Sequence, residues 1–138
     1  MDGTTATILV VEDDKNSAML IMDLLTAHGY RAVSVESGKA AAAMLAQRRF
    51  DLVILDLRLP EQTGFVVAEA IRRNPATAHV PIVVASAYTD RQNRLRAYRS
   101  GINVVLSKPI DTTELVLVVK NLLAISRAPA TDDPDLEP

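Results

Sequence analysis

Apolar residues fall along this chain in two alternating rhythms. Short β-branched runs occupy 7–11, 31–35, 52–55, 82–85 and 103–106, and between them apolar side chains recur every three or four positions. The first rhythm is that of strands, the second that of amphipathic helices. Helices are predicted over 15–28, 37–47, 65–73, between 89 and 100, and over 112–125. Their ends carry local signals: Gly29 and Gly101 stop two of them, Asn74-Pro75 ends a third, and Ser37 and Asp111 are placed to cap two more. Ala18, Ile21, Met22 and Leu25 give the first helix one apolar stripe. In the last helix Leu115, Val118, Val119 and Leu122 form the inward stripe, with Leu117 nearly opposite and Val116 on the flank.

Five strand–helix units in alternation predict an α/β domain built on a parallel sheet. Leu52-Val-Ile-Leu55 is apolar on both faces, as a central parallel strand should be, whereas Arg31-Ala-Val-Ser-Val35 is polar enough for an edge or flank. The expected organisation is a disordered segment 1–5, one folded domain 6–125, and a tail 126–138. That tail holds three prolines, four acids and little to bury, so it is expected to be disordered.

Composition narrows the chemistry. The 138 residues are 49% apolar, enough for one real core. With no cysteine and only two isolated histidines, thiol catalysis, disulfides and a zinc site are excluded or disfavoured. No apolar run approaches the roughly 20 residues that cross a bilayer, and the N-terminus has no signal-peptide pattern, so no membrane insertion and a cytoplasmic location are expected. Net charge is −2, of which residues 127–138 carry −3; the nearly neutral body argues against direct nucleic-acid binding.

The strand ends carry the candidate chemistry. The first run ends in Glu12-Asp13-Asp14, the third in Asp56, the fourth in Ser86, and the fifth leads into Ser107-Lys108-Pro109. In an open parallel sheet these ends share one edge, where ligands bind. Glu12, Asp13 and Asp56 brought together would repel and raise at least one pKa; a hard dication such as Mg²⁺ relieves that repulsion. Without Asp56, the acidic triplet would read simply as a cap of the first helix. Asp56 is the candidate nucleophile, able to form an acyl phosphate. Lys108 and Ser86 are candidate partners for phosphoryl oxygens, and a cis bond before Pro109 is plausible.

These residues in this order resemble the receiver domain of two-component response regulators. The carriers are Ile8 to Asp14, Asp51 to Pro60 with Gly64, Pro81 to Ala87, and Lys108-Pro109. The resemblance implies a flavodoxin-like doubly wound (βα)5 sandwich with strand order 2-1-3-4-5. It implies that Asp56 accepts a phosphoryl group from a sensor histidine kinase or histidine phosphotransfer protein. Asp13 and Asp56 would ligate Mg²⁺ (or Mn²⁺) directly, Glu12 through water, and Arg58 through its backbone carbonyl, while Ser86 and Lys108 bind the phosphoryl oxygens. The protein would be a stand-alone switch rather than an enzyme acting on other substrates.

Val105 departs from the family pattern, which usually has an aromatic residue there, so output is expected to use other residues; Tyr88 is one candidate. Arg58 and Tyr88 are also expected to flank the mouth of the site and slow the approach of water to the acyl phosphate. Arg91, Arg94, Arg96 and Arg99 beside the exposed Leu117 suggest a partner surface on the fourth helix, fifth strand and fifth helix, for a downstream protein or a second copy. Two rival readings are a pseudo-receiver that binds partners without phosphate and a haloacid-dehalogenase-type phosphatase. The second lacks its usual second aspartate, because Arg58 stands there.

Overall fold

The computed structural model describes residues 5–127. Five strands, β1 (Thr7–Val11), β2 (Arg31–Val35), β3 (Leu52–Leu55), β4 (Ile82–Ser86) and β5 (Val104–Ser107), alternate with five helices. These are α1 (Lys15–Ala27), α2 (Gly38–Gln47), α3 (Gly64–Arg73), α4 (Arg91–Arg99) and α5 (Thr112–Arg127). All neighbouring strands pair in parallel, in the order β2-β1-β3-β4-β5. The expected order is thus observed, with the polar β2 at an edge. The disordered segments expected at 1–5 and 126–138 lie outside the described residues, except Thr5 and the last two residues of α5.

The period of two along each strand sorts side chains to the two faces. Leu9, Val11, Val53, Leu55, Ile82 and Val84 pack with Ala41 of α2, Phe65, Ala68 and Ile71 of α3, and Ala97 of α4. Ile8, Val10, Leu52, Ile54, Val83 and Ala85 pack with Ile21 and Leu25 of α1 and Leu115, Val119 and Leu123 of α5. Each such aliphatic side chain contributes about 1.5–3 kcal/mol by leaving water, so β1, β3 and β4 form a stiff platform. The chain reverses its winding between β1 and β3, and at such a switch point the strand ends leave a crevice for ligands.

One expectation about α5 is corrected. Val116 is buried, and with the exposed Leu117 it lines a recess against Leu24 of α1 and His28, which caps the end of that helix. Leu117 is therefore turned to the α1 side and does not adjoin the arginines of α4. The expected inward stripe is observed, Leu115 and Val119 buried and Val118 and Leu122 partly buried against the same core, and it extends to Leu123.

Candidate functional site

The backbone at the strand ends delivers each polar side chain to one spot. Glu12 follows β1, and its amide donates to the Val35 carbonyl at 2.9 Å. Asp56 follows β3, and its amide donates to the Val11 carbonyl at 3.1 Å. The Lys108 amide donates to the Ser86 carbonyl at 2.9 Å, which fixes the end of β5 against β4; the Lys108–Pro109 peptide is cis. Gly64 is required where α3 begins: a Cβ there would lie 2.3 Å from the Asp56 carbonyl oxygen and 2.9 Å from the Leu57 Cα.

Lys108 Nζ donates to Glu12 Oε1 at 2.5 Å and to Asp56 Oδ2 at 2.8 Å. The second Asp56 oxygen, Oδ1, accepts from the Arg58 amide at 3.0 Å, so the carboxylate is held at both ends. Glu12 Oε2 accepts from the Asp14 amide at 3.1 Å. Glu12, Asp56 and Ser86 are buried, while Asp13 is exposed.

The two carboxylates titrate in opposite directions. Burial acts to raise Asp56. The hydrogen bonds from Lys108, the Arg58 amide and the Ser86 hydroxyl outweigh it, with the Lys108 charge, and hold Asp56 below the ordinary carboxylate value. Burial dominates at Glu12 and, with the nearby Asp56 charge, pushes it up despite Lys108 and the Asp14 amide. Burial would lower Lys108, but its two carboxylate partners more than compensate and raise it. An ionised Asp56 is the form that can attack an electrophile.

Not every expected residue joins the cluster. Asp14 is the cap of α1, its Oδ1 accepting from Asn16 and Ser17 at 2.9 and 3.0 Å. Asp13 stays outside the hydrogen-bonded cluster, and no group of three His, Cys, Asp or Glu side chains among the described residues is arranged to hold a metal ion. In this arrangement Lys108, rather than a convergence of three carboxylates, balances the buried charge. The donor set still suits a hard cation: Glu12 and Asp56 supply adjacent buried carboxylates and Asp13 an exposed one, all oxygen donors.

The rim is tied together by contacts that only part of the sequence reading reached. The Arg58 guanidinium donates through Nη1 to the Tyr88 hydroxyl, and its carbon lies 5.3 Å from the Tyr88 ring centroid. Tyr88 is thus engaged across the rim instead of turned inward. Its amide donates to Ser86 Oγ at 3.1 Å. A second tie, Thr89 Oγ1 to Ser107 Oγ at 2.5 Å, joins the loop after β4 to the end of β5. Nothing in the apolar pattern marks those two hydroxyls as neighbours; only the pairing of Ser86 with Ser107 across β4 and β5 brings them together. Val105 is half-buried against the α4-side core.

A doubly wound parallel sheet with a lysine-held aspartate at its switch point defines a class of phosphoacceptor switch. The family model for the response regulator receiver domain matches residues 8–120, and the chain belongs to that family. Relatives include the response regulator PleD of Caulobacter vibrioides, 35% identical over 118 residues, 86% of this chain. The match spans only 26% of PleD. The polar-differentiation response regulator DivK of Brucella ovis is 27% identical over 119 residues, covering 86% of this chain and 97% of DivK. Among solved structures, a response regulator from Chloroflexus aurantiacus superposes with a TM-score of 0.85 at 31% identity, over 88% of this chain and 99% of the other. The receiver domain of a Pseudomonas aeruginosa sensor histidine kinase, with magnesium ion coordinated in its active site cleft, gives 0.81 at 28% identity, over 88% and 99%. Accepting a phosphoryl group as a signalling switch is the standard function of this family, whose members bind Mg²⁺ and work with histidine kinases and downstream targets. No helix among the described residues is long and apolar enough to cross a membrane.

Proposed function

We propose that Asp56 is the phosphoacceptor of this chain and takes its phosphoryl group from a phosphohistidine on a sensor kinase or phosphotransfer protein. The observation that carries this reading is the doubly held Asp56 carboxylate, ionised by Lys108 and oriented by the Arg58 amide. An Asp56 oxygen attacks phosphorus, the P–N bond breaks, and the imidazole leaves with the electron pair. Lys108 then follows the charge from the carboxylate to the phosphoryl oxygens, with the Ser86 hydroxyl as a second donor. Glu12, Asp13, Asp56 and the Arg58 carbonyl are the groups that would hold Mg²⁺, which when bound supplies positive charge for the phosphoryl oxygens. Arg58 and Tyr88 shield the product from water, and the signal passes by protein contact in the cytoplasm.

The test is intact-protein mass after incubation with Mg²⁺ and a small phosphodonor, wild type beside Asp56→Asn. One added phosphoryl group is expected, absent without Mg²⁺ and absent in the variant. An addition that survives Asp56→Asn, or none in the wild type when hydrolysis is also followed, would reject the assignment.

A further inference from the structure

Ser86 and Lys108 approach Asp56 from two neighbouring strands, and each is followed by a segment that leaves the sheet. The register pairs Ser86 with Ser107, the residue before Lys108, and the last ladder bond runs from the Lys108 amide to the Ser86 carbonyl. Beyond that point the two segments part. The period of two places Ser107 on the same face of β5 as Val105, the α4 side of the sheet. Thr89, three residues past Ser86, meets it there, with 2.5 Å between Thr89 Oγ1 and Ser107 Oγ. Among the described residues this is the one side-chain hydrogen bond between 87–90 and 104–110.

The loop is weakly held from the helix that follows it. Asp14, Ser37 and Thr63 cap α1, α2 and α3 by accepting from backbone amides. Asp90 makes no such bond at the start of α4; its Oδ1 accepts instead from the Asn93 side-chain amide at 2.6 Å. Ala97 is the one buried residue of α4. Arg94 Nη1 donates to the Thr89 carbonyl at 2.9 Å, which ties the loop to its own helix and not to the sheet. The Tyr88 amide donates to Ser86 Oγ at 3.1 Å, so a shift of the loop is passed to the Ser86 hydroxyl. Thr89 and Ser107 are thus the contact that makes the loop and the end of β5 move as one unit.

We propose that Thr89 and Ser107 are positioning residues for phosphoryl transfer, an inference that rests on Asp56 being the phosphoacceptor. Their hydroxyl pair keeps Ser86 Oγ and Lys108 Nζ in a fixed relation, so that both donors meet the phosphoryl oxygens together. Donors set in place beforehand need no reorganisation as an Asp56 oxygen attacks phosphorus and the bond to the leaving group breaks. Without the pair, residues 87–90 shift independently of Lys108 and carry Ser86 Oγ with them. A misplacement of about 1 Å at such a centre costs up to roughly a hundredfold in rate. Thr89 is half-buried and Ser107 exposed, and neither touches Glu12 or Asp56, so removing the pair leaves the core and the resting ion pairs in place.

The test follows phosphorylation by intact-protein mass in Mg²⁺ over a series of phosphoramidate concentrations. In this donor the P–N bond breaks and the protonated nitrogen leaves as ammonia with the electron pair. Thr89→Val and Ser107→Ala should each lower the maximal rate about five- to tenfold, with the half-saturating phosphoramidate concentration within about twofold of wild type. The double variant should be no slower than either single one, because both changes remove the same bond. Thr89→Ser keeps a hydroxyl and should return the rate to within about twofold of wild type. Should Ser107→Ala disturb β5, Thr89→Val beside Thr89→Ser carries the test alone. Losses that add in the double variant would overturn the proposal, as would an effect confined to the half-saturating concentration. Variants as fast as a phosphorylated wild type would overturn this inference alone. A wild type that gains no phosphoryl group on Asp56 would overturn the phosphoacceptor reading and this inference with it.

Discussion

Lys108 stands between two buried carboxylates that come from residues far away in the chain, and most of the behaviour of the site follows from that. Replacing it by Ala leaves Glu12 and Asp56 facing each other without a cation. Breaking a buried pair costs about 3–5 kcal/mol; Lys108 is partly open to water, so a loss of about 2 kcal/mol is expected in urea unfolding at pH 7. The signs of the pH dependence follow from the shifts. Asp56 lies below its unfolded value, so its stabilisation is present above about pH 3.9 and is lost as pH falls through the lower folded value. Lys108 is raised, so its share is present below about pH 10.4 and is lost as pH rises through the higher folded value. Glu12 opposes Asp56: its folded form favours the proton, and that contribution is present below about pH 4.3 and lost as pH rises through its raised value. Urea titrations of Lys108→Ala should therefore show its penalty shrinking as Glu12 and then Asp56 protonate; a penalty constant from pH 7 to 4 would contradict the assignment. At the rim, Arg58→Ala and Tyr88→Ala each remove the same bridge and should speed loss of the phosphoryl group between about two- and tenfold, up to roughly 1.4 kcal/mol of barrier. Equal lifetimes by time-resolved mass measurement would show that the bridge does not shield the site. The sequence made Asp56, Ser86 and Lys108 neighbours because parallel strands end on one edge. It did not reveal that Glu12 and Asp56 would shift in opposite directions, because that depends on which carboxylate receives more hydrogen bonds.

At the scale of elements, one arginine does the joining that apolar burial alone would leave loose. Arg72 at the end of α3 donates through Nε to the Gly101 carbonyl at 2.9 Å and through Nη1 to the carbonyls of Ala78 and Val80 at 3.0 and 2.6 Å. Its Nη2 donates to Asn103 Oδ1 at 2.9 Å, and that oxygen also accepts from the Ile82 amide at 2.7 Å. The guanidinium thus ties α3 to the starts of β4 and β5 and to the end of α4 through four acceptors. A lysine carries one small ammonium and cannot span them. Arg72→Ala should cost about 2–3 kcal/mol in urea unfolding, and Arg72→Lys should recover little of it; full recovery by Lys would mean that charge alone matters. Gly101 is part of the same joint, since its φ of +93° and a Cβ 2.7 Å from the Arg72 Cγ disfavour any side chain there. This clamp was invisible in the sequence because three of its four acceptors are backbone carbonyls, which every residue has. The elements themselves were legible wherever periodicity and caps agreed: Ser37 Oγ accepts from the Ala40 amide at 3.1 Å, and Asp111 from the Glu114 amide at 3.0 Å. The burial of Val116 was less legible, because it stands on the flank of the apolar stripe and only packing beside α1 covers it while Leu117 stays exposed, as its position opposite the stripe predicts.

For the whole molecule, the described fold and the proposed metal site are thermodynamically linked. A cation that binds the folded chain and not the unfolded one adds RT ln(1 + [L]/Kd), about 2.7 kcal/mol at a hundredfold excess over Kd. For a domain of this size that corresponds to a rise in melting temperature of roughly ten degrees. Lys108 already holds Glu12 and Asp56, so these two carboxylates are part of the resting balance of charge and their replacement disturbs stability with or without the cation. Asp13 separates the two effects. It is exposed and outside the hydrogen-bonded cluster, so Asp13→Asn should leave the melting temperature in chelator within about a degree of wild type. The same variant should lose most of the rise produced by Mg²⁺, because one of the hard oxygen donors has become an amide. If it melts with the full Mg²⁺-dependent rise, Asp13 does not hold the cation. If it is destabilised in chelator as well, Asp13 takes part in the resting structure. The pattern expected, unchanged without the cation and insensitive to it, would assign to an exposed loop carboxylate the step by which a lysine-balanced site becomes a metal-loaded one.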